Sequence, residues 1–287
     1  MWHGAEDWFR QKSPFCTFPV LIKTEYCWFF LKIARRSIRG NHPSIPNMKK
    51  VDILAIGIHP DDVELSASGT LLRHAAQGKT FGLLDLSQGE LGTRGTVAIR
   101  AAEAAASAKL LGASFREMLD IPDGLFEHKP ENWLKIVRII RACKPEIVLC
   151  NSIDDRHPDH GRAAKMTADA CYYAGLEKIE TLDDQGLTQE KWRPKAVYHY
   201  IQDRQLTPDF VVDITPFFAK KMEAILSFRS QFFDPTGEAP NTPISGKDFL
   251  DFMEAKARVF GRSILAQYAE GFICSRIPGV GDLFELV

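Results

Sequence analysis

Two short strings hold the residues that could do chemistry: "HPDD" at 59–62, directly behind an apolar run, and "DDRHPDH" at 154–160. Two imidazoles and a carboxylate make a three-ligand set for catalytic zinc that leaves a position open for water. The ion brings that water's pKa to about 7. A further carboxylate beside it can accept the water's proton and pass it to a leaving group. A remaining histidine, oriented by its own aspartate, can stabilise an oxyanion. Each string alone also reads as an ordinary loop, "HPDD" being a proline turn whose aspartate caps the next helix. Together, each behind an expected parallel strand, they read as one site.

The elements that must position them alternate. "VDILAIGI" is a continuous apolar run of strand length, suited to a parallel strand covered on both faces. Residues 63–77 read as a helix stopped by Gly78. "KTFGLLDLS" is a second strand, "QGELGTRGT" a Gly-rich loop, and "VAIRAAEAAASAKLLG" a helix ended by Gly112. "FREMLDIP" gives a third strand, 131–143 a helix, "PEIVLCNS" a fourth strand, and a helix begins after His160. "KAVYHYI" and "DFVVDIT" are further strands, and helices follow near 216–230 and 246–268.

This order predicts an α/β, Rossmann-like, mostly parallel sheet flanked by helices, with a helical or mixed C-terminal extension. No G-x-G-x-x-G follows the first strand, where a dinucleotide-binding fold carries it. In open parallel sheets ligands bind outside the carboxyl ends of the strands, so both strings belong on one rim. Neighbouring strands there are only about 5 Å apart.

Composition bounds the function classes. The 287 residues are 45% hydrophobic and 25% charged with a net charge of −1, which predicts no nucleic-acid partner. Six scattered cysteines, with no C-x-x-C, point to a reducing, cytoplasmic setting. Residues 1–47 differ in being aromatic and basic; they are too short and charged for a membrane span and lack the order of a signal peptide. They are expected to be a poorly ordered or mis-assigned leader, with a surface-lying amphipathic segment as the sharper alternative. Residues 48–287 are expected to form a single domain.

"HPDDVELSASGTL" with "RHPDHGRAA" resembles the PIG-L-like (LmbE-like) zinc N-deacetylases, from about residue 49 onward. "DLSQGELGTRGT", "LDIPDG", "PDFVVDIT", "SFRSQF" and "AEGF" resemble the branch that deacetylates N-acetylglucosaminyl-malate in bacillithiol biosynthesis. The resemblance implies His59, Asp62 and His160 as zinc ligands and Asp61 as general base and later acid. It makes His157 the group that polarises the carbonyl, with Asp159 holding its ring. The sequence departs from the family at Ile58 and in "ELSASG" at 64–69, neither of which touches a proposed catalytic group.

The implied reaction releases acetate and a free sugar amine from a small-molecule glycoside. Arginine suits the carboxylates of a malate-bearing sugar, and Arg94, Arg100 and Arg156 are the candidates. The resemblance associates Arg100 and Arg156 with substrate; Asp123 in "IPDG" follows the third strand and reads either as an acceptor for sugar hydroxyls or as an ordinary turn aspartate before Gly124. Zinc and ferrous iron both suit the ligand set. No membrane partner is expected, and the helical C-terminal third is the expected interface of a homo-oligomer. Three rivals stand beside this reading: a deacetylase of chitobiose-type substrates, a non-catalytic sugar- or nucleotide-binding module, and a non-haem iron oxygenase, whose triad usually sits in an all-β barrel.

Overall fold

The computed structural model describes residues 48–232 and 239–285. All of them fall in one compact unit, Ser44–Val287, and the leader expected at 1–47 lies outside the described residues. Seven strands form one sheet in the order β3-β2-β1-β4-β5-β7-β6. β1 (Ile53–Gly57), β2 (Phe81–Asp85), β3 (Arg116–Met118), β4 (Ile147–Cys150) and β5 (Ala196–Tyr200) run parallel. β7 (Ala269–Cys274) is inserted antiparallel between β5 and β6 (Phe210–Asp213). The α/β expectation holds.

The apolar runs explain the layering. Every residue of β1 and β2 is buried, so both faces must be covered. On one face Leu54, Ile56, Val148 and Cys150 pack with Ile136 and Ile140 of α4 (Pro130–Cys143) and Met166 and Ala170 of α5 (Pro158–Ala174). On the other, Ile53, Ala55 and Leu149 pack with Leu71 of α2 (Ser68–Ala76) and Leu111 of α3 (Val97–Leu111). α6 (Phe218–Leu226) and α7 (Lys247–Arg262) complete the C-terminal part.

Three sequence expectations change. The helix expected over 63–77 is two, α1 (Asp62–Ser66) and α2, broken at Ala67 (φ −141°). A long-range carboxylate explains the break: Glu270 of β7 accepts from the N–H groups of Gly69 (3.0 Å) and Thr70 (2.7 Å), capping α2 from across the fold. The helix expected to begin after His160 starts at Pro158, with His157 as its N-cap. Proline suits that first position because its missing N–H has no intrahelical partner there. Finally, the helix expected over 246–268 ends at Arg262, and "AEGFIC" forms β7.

Beneath α1 lies a buried ionic lattice. Arg116 on β3 donates to both oxygens of Asp85 (2.7 and 2.8 Å) and to Glu64 (2.5 Å), whose Oε1 also accepts from Ser107 (2.6 Å). It ties α1, which carries the first polar string, to β2, β3 and α3.

Candidate metal centre and cleft

The rim behind β1, β4 and β5 bears the site. Gly57 ends β1, and a Cβ there would lie 2.9 Å from the Asp62 Cβ, so the turn can close tightly only over glycine. Asp61 follows at φ 137°, a strained conformation for a residue with a side chain. Three imidazoles cluster on this rim: ring centres are 4.8 Å apart for His59–His157, 5.6 Å for His59–His160 and 5.2 Å for His157–His160.

Outer carboxylates fix two of these rings. His59 Nε2 lies 2.9 Å from Asp123 Oδ1, and His160 Nδ1 lies 2.5 Å from Asp155 Oδ2. In the neutral form of each ring those nitrogens carry the proton and His59 Nδ1 and His160 Nε2 carry the lone pair, a tautomer assignment that follows from the bonding. Both face Asp62, His160 Nε2 at 3.2 Å from Oδ1 and His59 Nδ1 at 3.9 Å from Oδ2. Donors around a tetrahedral zinc ion lie about 3.3 Å apart; the His160–Asp62 distance matches that spacing and the His59–Asp62 distance is wider.

Electrostatics agrees. Burial pulls the His59 imidazole down, but Asp123 and Asp159 push it up to about 10. His160, against the same burial, is held up to about 9 by Asp62 and Asp155. Burial would raise Asp62, yet His160 and His59 hold it well below the usual carboxylate range.

Among the described residues, two overlapping groups have donor atoms within 4.8 Å of one another: His59, His157 and His160, and His59, Asp123 and Asp159. The second surrounds His59 Nε2, which Asp123 already occupies, so it reads as the outer shell. In the first, His157 Nδ1 accepts the backbone N–H of Asp159 (3.3 Å). That bond leaves the His157 proton on Nε2. Burial and the neighbouring His59 and His160 lower the His157 pKa, keeping it a neutral N–H donor.

Asp159 is placed differently from the expectation that it holds the His157 ring. Its carboxylate accepts from Gly124 N–H (2.9 Å) and from Arg162, and lies 3.6 Å from His59 Nε2. The helix start is the reason: capping turns His157 toward the Asp159 backbone, not its side chain.

Asp61 is 4% exposed, and burial pushes its carboxyl up to about 7 against the pull of Arg100. Arg100 is itself buried and donates to Pro60 O (2.9 Å), Gly89 O (3.3 Å) and Asp61 Oδ2 (3.3 Å). Gly89 (φ +65°) permits this, because a Cβ there would sit 2.1 Å from the guanidinium. Expected as a substrate ligand, Arg100 is thus already engaged in the turn that shapes Asp61.

A cleft of about 430 Å³ opens over the cluster. It is lined by His59, Asp61, Asp62, His157 and His160, and by the expected substrate residues Arg94, Arg100, Asp123 and Arg156; Asp159 lies behind. Arg94 is buried and reaches the carbonyls of Gln231 (3.3 Å) and Phe232 (3.5 Å). Arg156 is half-exposed and paired with Asp203 (2.5 Å). Asp123 directs its carboxylate to His59 and to Leu91 N–H (3.1 Å).

Sequence reading missed Asp155, Asn151 and Gln202, as well as the apolar wall of Ile244, Phe249 and Met253. Asp155 was visible within "DDRHPDH", five residues before His160, and Gln202 follows the β5 strand on the same rim. The wall comes from α7 and the loop before it, where nothing local marks a pocket.

Comparison with known proteins agrees with the fold. The family described as PIG-L: GlcNAc-PI de-N-acetylase matches residues 54–171. The conserved protein TT1542 from Thermus thermophilus has a similar structure, with a TM-score of 0.71, 33% identity and coverage of 82% of this chain and 98% of that one. The chain belongs to the PIG-L family. A diacetylchitobiose deacetylase of Thermococcus kodakarensis is 27% identical over 263 residues, 88% of this chain and 91% of that protein. A 4-oxalmesaconate hydratase of Pseudomonas putida is 28% identical over 202 residues, 64% of this chain and 76% of that protein.

Proposed function

We propose that the protein is a zinc-dependent N-deacetylase that hydrolyses the acetamide of an N-acetylglucosaminyl conjugate to acetate and a free amine. The observation that carries this is the pair of carboxylate-oriented imidazoles whose free nitrogens face Asp62, with Asp61 beside them in the cleft. His59, Asp62 and His160 would hold the ion. Bound there, a divalent cation supplies Lewis acidity toward the acetamide oxygen and the attacking water. Asp61, poised near neutrality by burial, accepts the water's proton and returns it to the departing nitrogen. His157 donates its Nε2–H to the developing oxyanion. Asp159 supports the centre through Gly124, Arg162 and the rear of His59.

The preferred conjugate is the malate glycoside of bacillithiol biosynthesis, because Arg94 and Arg156 line the cleft and guanidinium groups match carboxylates. A cytoplasmic homo-oligomer loaded with zinc, or with iron in the cell, completes the reading. The four described cysteines are free, in keeping with a reducing setting, and no described helix is long and apolar enough to cross a membrane. Similarity to 4-oxalmesaconate hydratase favours a second reading, water addition to an unsaturated acid at the same centre.

Acetate release across a panel of N-acetylglucosaminides tests the proposal, before and after exhaustive chelation. The malate conjugate should turn over faster than a chitobiose-type disaccharide, and chelation should abolish turnover. Full activity after chelation overturns the metal mechanism. Equal use of the disaccharide overturns the aglycone, and hydration of an unsaturated acid without acetate release favours the second reading.

A further inference from the structure

The side chains of Asn151 and Gln202, which no sequence motif singled out, meet at Asp62. Gln202 Nε2 donates to Asp62 Oδ1 (3.0 Å), and Asn151 Nδ2 donates to Asp62 Oδ2 (2.9 Å). Neither amide is free to flip. Gln202 Oε1 accepts from Ser152 N–H (3.1 Å) and from Asn151 Nδ2 (2.9 Å), which forces its NH2 toward Asp62. Asn151 Oδ1 accepts from Ile58 N–H (2.9 Å), which fixes that amide in turn. The three residues stand behind β1, β4 and β5, adjacent parallel strands, and all three are buried.

We infer that Asn151 and Gln202 are positioning residues, a two-amide clamp that presents Asp62 to the metal through Oδ1 alone. The inference rests on the proposed metal-centred reading and deepens it. A carboxylate oxygen has two lone pairs in its plane. Oδ2 accepts from both Asn151 Nδ2 and the His59 backbone N–H (2.9 Å), so its capacity is used. Oδ1 accepts one bond from Gln202 and keeps one lone pair on the side of His160 Nε2, 3.2 Å away. The clamp thereby selects one-oxygen ligation and prevents the carboxylate from rotating to grip the ion with both oxygens.

The test is metal binding, independent of turnover. Apo-protein is titrated with Zn2+ against a chromogenic chelator and with Co2+ by visible absorption, for the parent, Gln202→Met and Gln202→Asn. Methionine removes the amide at similar volume; asparagine keeps a polar end but draws it back from Asp62. Each should weaken zinc binding by about 10–100-fold, the usual cost of losing an outer-shell partner. The Co2+ absorption band should shift, because a released carboxylate changes the coordination geometry. Thermal unfolding of the apo forms separates folding from binding, and the asparagine variant carries the comparison if the methionine variant does not fold. Parent-like zinc affinity and an unshifted Co2+ band in a folded variant overturn the clamp while leaving the metal centre standing. A parent protein that takes up no metal overturns the metal-centred reading itself, and the clamp with it.

Discussion

At the scale of single residues the site is a set of opposed environments. Asp61 and Asp62 are adjacent and equally buried, yet Asp61 faces a single arginine at 3.3 Å while Asp62 accepts from a backbone N–H and two amides. Burial pushes Asp61 up to about 7 against the pull of Arg100, while His160 and His59 hold Asp62 down against the same burial, a separation that suits the proposed base beside the proposed ligand. Replacing Asp61 by Asn should lower kcat by about 10²–10⁴-fold, the usual worth of a positioned base, with metal stoichiometry unchanged. Metal analysis beside steady-state kinetics checks both halves. Asp155→Asn acts one shell further out. It leaves His160 Nδ1 without its anionic partner and should weaken metal binding by about tenfold or more, read by chelator competition.

At the scale of elements, the turn that carries the candidate site depends on a strand distant in the sequence. Glu270 of β7 caps α2 and accepts from Lys221 (2.6 Å), which also reaches Leu65 O (2.7 Å) at the end of α1. Glu270→Ala removes the cap and leaves a buried ammonium without its carboxylate. The expected loss is roughly 3–5 kcal/mol in urea unfolding. The double variant Glu270→Leu/Lys221→Met should recover much of it, since no buried charge is then left unpaired. The same bonds explain why periodicity showed one helix over 63–77: the helical pattern is local, but the break at Ala67 is imposed from some 200 residues away.

For the whole molecule, charge burial beside the cleft couples stability to pH. Lys256 of α7 is 7% exposed and donates to Ile201 O (3.0 Å), and burial together with Lys221 pulls its pKa down to about 7. Between pH 7 and 10.5 the unfolded chain binds a proton at this lysine that the native state does not. Native stability arising from Lys256 therefore rises with pH across that window and is lost as pH falls toward 7. Buried thiols work the other way above pH 9, Cys143 and Cys171 being pushed up to about 12. The clean observable is the difference between Lys256→Met and parent. The variant's relative stability should decline from pH 7 to 9 by up to about 1.4 kcal/mol per unit, on a constant offset for the lost bond to Ile201. A flat difference in denaturant titrations would show that Lys256 does not carry this dependence.

The amino-acid order by itself determined the parallel core and which polar residues stand on its rim. Continuous apolar runs such as "DILAIG" demand burial on both faces, and the polar string behind each strand must then emerge at the same edge. The tertiary structure decided what is non-local: the antiparallel entry of β7, the capture of Arg100 by the Asp61 turn, and the assignment of Asp123 to the His59 imidazole. It also brought Asn151 and Gln202 onto Asp62. Periodicity and spacing report what a residue's neighbours in sequence require. A hydrogen bond between groups some 40 to 200 residues apart exists only once the chain has closed around both of them.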